Sequence, residues 1–187
     1  MPDPAILLST TSVYPDTTAS AFDYAAELGF DGVELMVGVD QVSLDIEAIM
    51  ALSDRYGVPV RSLHAPTLLI TQRAWGSDPW EKLRRSAEAA KRLGADVVVV
   101  HPPFRWQRSY GNGFVRGIRD LNRTSGVTFA VENMYPWRTP AGSLAAYSPG
   151  WDPTGLDYDH LTLDLSHAST AQLRSLDLVE LWGDRLT

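Results

Sequence analysis

The stretch Leu-Gly-Ala-Asp-Val-Val-Val-Val-His-Pro, residues 93–102, decides the fold. A glycine ends one segment, four β-branched residues follow without polar alternation, and a histidine closes the run before a proline. Such a run belongs to a strand covered on both faces, which is the signature of a parallel sheet. The same pattern recurs along the chain, with apolar runs at 5–10, 32–36, 58–64, 96–101, 128–133 and 161–167. Helical periodicity fills the intervals at 17–28, 44–56, 79–93, 113–123 and 168–182; the first three lie behind the capping residues Asp16, Ser43 and Asp78 and before Gly29, Gly57 and Gly94. Strands alternating with helices predict an α/β fold of parallel strands joined by crossover helices.

The 187 residues fit one domain, and 44% hydrophobic with 21% charged residues is enough for a buried core. The absence of cysteine excludes disulfide scaffolds, thiolate metal sites and cysteine nucleophiles. No apolar run approaches the roughly 20 residues of a membrane span, and Met-Pro-Asp-Pro at the start is not a basic signal-peptide opening, so a cytoplasmic protein is expected. The net charge of −7 is uneven: residues 1–54 hold ten acids and no Lys or Arg, whereas 55–138 hold six acids and fourteen bases. The acidic total argues against non-specific nucleic-acid or membrane binding, while the basic middle leaves room for a local phosphate site.

Polar residues gather where the apolar runs end. His64, His101 and His167 stand at the last positions of the third, fourth and sixth runs, Glu132 near the end of the fifth and Glu34 in the second, with Asp164 three residues before His167. Imidazoles and carboxylates converging on one mouth form a divalent-metal donor set of the zinc or manganese kind. Each residue has a plainer role as well: a histidine at a strand end is commonly a hydrogen-bonded structural group, and Glu34 could pair with an arginine. His160 sits at the opposite end of its run and is read as structural. A doubly wound sheet would carry a glycine-rich turn after its first strand, and Ser-Thr-Thr-Ser (9–12) is not one; clustering at strand carboxyl ends points to a (β/α)8 barrel. The proline- and glycine-rich segment 134–159 is either a lid or an irregular replacement for a helix.

The ordered set Leu-Gly-Phe-Asp-Gly-Val-Glu-Leu (28–35), Ser-Leu-His-Ala-Pro (62–66), residues 93–102, Val-Glu-Asn (131–133) and Leu-Asp-Leu-Ser-His (163–167) resembles the xylose isomerase-like TIM-barrel superfamily. That group includes sugar phosphate isomerases and epimerases and the endonuclease IV type of apurinic DNA-repair enzyme. The resemblance implies that Glu132 and Asp164 are acidic metal ligands, Glu132 doubling as catalytic base. It also implies that His64, His101 and His167 are further ligands or substrate contacts. The expected cofactor is a divalent metal, Mn or Zn, with Mg or Co as alternatives.

The family's strand-seven histidine and strand-eight glutamate have no counterpart among these 187 residues. Six β/α units account for the chain, whereas eight need roughly 250 residues. The chain is therefore expected to be a barrel cut before strand seven, or else to have edge strands that something else covers. Trp75, Trp106, Trp137 and Trp151, with Arg73, Arg105, Arg108 and Arg138, fall in segments after strands three to five; Trp106, Trp137, Arg105, Arg138 and Glu34 are the candidate substrate contacts. Ordinary loop packing with solvated charges is the plainer reading of any one of them taken singly. The leading expectation is a metal-dependent isomerase or epimerase working through a metal-stabilised enediolate on a small carbohydrate-like substrate. It needs no membrane or nucleic-acid partner and is compatible with a homo-oligomer. A zinc-dependent phosphodiester hydrolase and a non-catalytic binding barrel are the alternatives.

Overall fold

The structure is a computed structural model that describes residues 4–71, 73–140 and 142–187. The extreme amino terminus, read above for a signal peptide, lies outside them. The chain divides into two compact units, one through Val98 and one from Val99.

In the first unit, β1 (Leu7–Ser9), β2 (Gly32–Met36) and β3 (Val60–His64) alternate with α1 (Thr18–Leu28), α2 (Ile46–Tyr56) and α3 (Pro79–Leu93). The β1–β2 and β2–β3 pairings are parallel, with Ser9 opposite Glu34 and Glu34 opposite Ser62. α1 buries Ala21, Phe22 and Ala25, one stripe at helical spacing, while Val33, Leu35, Val60 and Leu63 are fully buried on the strands. α3 occupies the segment read from the sequence: Asp78 accepts from the Glu81 N–H, Pro79 opens the helix, and Gly94 closes it at φ 73°. That angle is one an L side chain adopts only with strain.

β4 (Val97–Val100) lies at the boundary between the units. The second unit continues with α4 (Arg108–Thr124), β5 (Thr128–Glu132), the hairpin strands β6 (Trp137–Thr139) and β7 (Gly142–Leu144), β8 (Leu161–Thr162), α5 (Leu165–Thr170) and α6 (Ser175–Trp182). β5 and β8 are parallel, with Val131 opposite Leu161 and Glu132 opposite Thr162. Phe114, Ile118, Phe129, Val131 and Leu161 are fully buried. Among the described residues no helix is long and apolar enough to cross a membrane.

Several expectations are corrected. The caps of α1 and α2 are Thr17 and Asp45 instead of Asp16 and Ser43, each accepting from backbone N–H groups of the first turn. The sixth run does not continue as a strand to His167: β8 ends at Thr162, and His167 lies in the first turn of α5. Asp164 ends the strand there because its carboxylate accepts from the His167 N–H at 2.7 Å and so caps the helix. The helix expected over 168–182 is two helices, separated at Gln172, which holds φ 63°. Segment 134–159 also contains regular structure, the β6–β7 hairpin, with Trp137 opposite Leu144.

Gly32 is the tightest point of β2, where an added Cβ would meet Pro59 O at 2.6 Å and Arg61 Cγ at 2.8 Å. Gly32→Ala is expected to lower unfolding free energy by about 1–3 kcal/mol, as overpacking does. Urea denaturation followed by circular dichroism measures it.

Candidate metal centre

In the second unit the end of β5 delivers Glu132, the residue after β4 delivers His101, and the β8–α5 junction delivers Asp164 and His167. Glu132 and His101 are each 4% exposed. The carboxylate lies between two imidazoles: Oε2 is 3.0 Å from His101 Nε2, and Oε1 is 3.1 Å from His167 Nδ1. A carboxylate so buried requires partners on both oxygens, because unpaired burial of the charge costs several kcal/mol.

Asn133, next to Glu132 in the Val-Glu-Asn motif, fastens β5 to the β8–α5 junction. Its Oδ1 accepts from the Asp164 N–H at 2.8 Å, its Nδ2 donates to Asp164 O at 3.1 Å, and its backbone carbonyl lies 2.8 Å from His167 Nδ1. Asp164 Oδ1 is engaged by the His167 N–H and by Ser166 Oγ, while Oδ2 stands 3.8 Å from His167 Nδ1. The Tyr135 ring packs 4.9 Å from that of His167. Sequence reading missed Asn133 and Tyr135 as members of the site. The signal for Asn133 was its place beside the acid, since an amide there can both donate and accept.

Glu132, Asp164 and His167 offer ligand atoms that all lie within 4.8 Å of one another. Two carboxylates and an imidazole suit Mn or Zn, so the residues present fit the expected cation. Burial lowers the His167 pKa, but the hydrogen bond and charge of Glu132, the Asn133 carbonyl and Asp164 outweigh it, leaving the net shift upward.

In the first unit, β2 and β3 bring Glu34 and His64 side by side. His64 Nδ1 is 3.7 Å from Glu34 Oε1, and Ser62 Oγ donates to Glu34 Oε2 at 3.2 Å, so Glu34 pairs with a histidine and a serine instead of an arginine. Trp75 donates its indole N–H to Leu44 O, the packing role. Trp137 and Trp151 are half-buried against Phe104, Met134, Ala146 and Tyr147, whereas Trp106 is 55% exposed. Arg105 and Arg138 are exposed, and His160 lies 3.1 Å from Thr187 Oγ1.

Residues 22–186 match the family described as xylose isomerase-like TIM barrel, and the chain belongs to that family, with six of the parallel strands of an eight-stranded barrel. An uncharacterized protein of Mycobacterium leprae is 48% identical over 96% of this chain and 71% of its own length. An AP endonuclease, family 2, from Brucella melitensis superposes with a TM-score of 0.68 at 17% identity, covering 98% of this chain and 77% of its own. A xylose isomerase domain protein from Alicyclobacillus acidocaldarius gives 0.66 at 19% identity, covering 97% and 71%. At these identities the structural likenesses establish the fold.

In the metal-free chain His167 is expected to titrate above the roughly 6.5 of an ordinary histidine, and Glu132→Gln to lower it. Because the folded pKa is raised, this group's stabilisation is full below about pH 6.5 and is lost as pH rises through the folded value. Proton–nitrogen correlation spectra of the imidazole across that range check both statements.

Proposed function

We propose that the chain is a divalent-metal-dependent isomerase or epimerase of a small carbohydrate-like carbonyl compound. The observation that carries this reading is the buried Glu132 carboxylate, held on both oxygens by histidines and set beside Asp164. Glu132, Asp164 and His167 are assigned as ligands of the cation, with His101 completing their surroundings. His64 and Glu34 enter the assignment from the family resemblance, as a further ligand and a substrate contact. A bound divalent cation supplies Lewis-acid polarisation of a carbonyl.

Glu132 is assigned as the base. The C–H bond beside the carbonyl breaks, its electron pair moves toward the carbonyl oxygen, and a Glu132 oxygen receives the proton. In an isomerisation the same carboxyl returns that proton to the neighbouring carbon, while the hydroxyl proton of the first carbon passes to the former carbonyl oxygen and a carbonyl is left in its place. His101, 3.0 Å from Oε2, orients the carboxylate, and Asn133 holds Asp164 and His167 in place beside it.

The histidine content of the donor set favours a second reading, a phosphodiester hydrolase of the kind named in the Brucella structure. A nuclease must neutralise several phosphates, so its duplex affinity should fall with salt by a slope of about −0.9 per phosphate.

Incubated with manganese and small ketoses in deuterium oxide, the chain is expected to exchange the hydrogen beside the carbonyl. Glu132→Gln should reduce that exchange by about 10²-fold or more. Asp164→Asn should weaken manganese or zinc binding, measured calorimetrically, by at least about tenfold. Duplex binding with the steep salt slope, and no exchange with any ketose, would transfer the assignment to the hydrolase.

A further inference from the structure

The segment after β4 and the hairpin segment are joined by backbone bonds, from the Arg105 N–H to Ala146 O at 2.9 Å and from the Ser148 N–H to Pro103 O at 2.8 Å. Between them lies a groove of about 640 Å³ lined by Arg105, Trp106, Arg108, Leu144, Ala145 and Ala146. Its chemistry is uneven in an informative way. Trp106 lies with one face stacked on Phe104, the rings 4.5 Å apart and 2° from parallel, yet more than half of the residue stays exposed. Leu144, across the groove, is 48% exposed. A large flat side chain fixed from one side and left open on the other costs solvation without gaining full burial, and such surfaces are commonly ligand platforms.

The cations beside that platform carry the inference further. Among the described residues neither Arg105 nor Arg108 has a carboxylate partner; Arg105 reaches only Ala145 O, at 3.5 Å. Elsewhere in the same unit Arg119 lies against Asp157 and Asp159, and Arg123 against Asp120. Arg108 also occupies the first position of α4, a 17-residue helix whose opening turn holds no acid, and its N-cap Gln107 makes no capping bond because its side chain accepts from the Phe104 N–H. A cation at the positive end of a helix is unfavourable on its own, and an anion beside it relieves the conflict.

We infer that this groove is an anion subsite. Arg105 and Arg108 grip a phosphate or carboxylate by charge-assisted hydrogen bonds, and the C–H face of the attached small molecule lies on Trp106. The inference rests on the isomerase reading and narrows its substrate to a phosphorylated or carboxylated polyol. Residues 134–137 run from the Glu132–Asn133 end of β5 into the Trp137 ring, which stands 6.2 Å from that of Trp106, so the groove and the candidate metal centre share one continuous stretch of chain.

The test titrates the metal-free 187-residue chain with D-ribose, D-ribose 5-phosphate, D-ribonate and inorganic phosphate, following tryptophan fluorescence and heat. The expected result is that at least one anionic sugar binds about tenfold or more tighter than ribose, the tighter of the two naming phosphate or carboxylate. Arg105→Ala and Arg108→Ala should each remove about tenfold of that affinity, and Trp106→Phe should abolish the fluorescence change; all three residues are exposed, so the variants should fold as the parent does. Equal affinity for ribose and both anionic sugars would overturn the inference, as would arginine variants that bind like the parent, or binding of inorganic phosphate alone with no gain from the sugar. Manganese affinity measured on the same variants separates the two readings. Lost anion preference with intact metal binding removes the subsite alone, while intact anion preference with no metal binding or ketose exchange removes the isomerase.

Discussion

A carboxylate with 4% exposure is the constraint around which the second unit is organised. Glu132 cannot be ionised there without a hydrogen-bond donor or cation at each oxygen, and the two imidazoles supply these from opposite sides, one after β4 and one in α5. Three segments distant in sequence are thereby tied to one side chain. Packing alone would not set their mutual positions as narrowly, since apolar contacts are non-directional and hydrogen bonds to a buried charge are not.

The fold was legible where local chemistry and tertiary packing agree. α3 follows its sequence reading to the residue because Asp78, Pro79 and Gly94 punctuate it, and three of the four valines of β4 are buried as well as β-branched. Agreement of this kind fails at α4, which begins at Arg108, several residues before the helical pattern was read. Gly111 and Gly113 lower helix propensity and hide the first turns; Gly111 is there for a different reason, since Ser148 Oγ comes within 3.0 Å of where its Cβ would be. Steric demand from the hairpin segment is invisible to a helical-period argument.

The candidate site was legible as a set of residue types and less so as a geometry. Glu132, Asp164 and His167 were readable as one donor set because all three lie near one sheet end, although the element carrying His167 was misread. Leu161, Leu163 and Leu165 alternate like a strand, but Asp164 is a stronger signal, since an aspartate three residues before a backbone N–H that needs an acceptor is a helix cap. The same carboxylate thus ends a strand, starts a helix and supplies a candidate ligand atom. Asn133 escaped notice because its contribution is made through an amide to backbone groups, which residue-type reasoning does not register.

β8 is only two residues long, so the ladder to β5 contributes little to holding the β8–α5 junction in register. The Asn133 amide takes over that task, giving and receiving one hydrogen bond at Asp164, the residue that must be placed. An aspartate of the same shape could accept but, when ionised, could not donate, and it would add a third negative charge beside Glu132 and Asp164. Within this architecture the choice between two nearly isosteric side chains is therefore made by the direction of a single proton, and by a neutrality that leaves the local charge for a cation to balance.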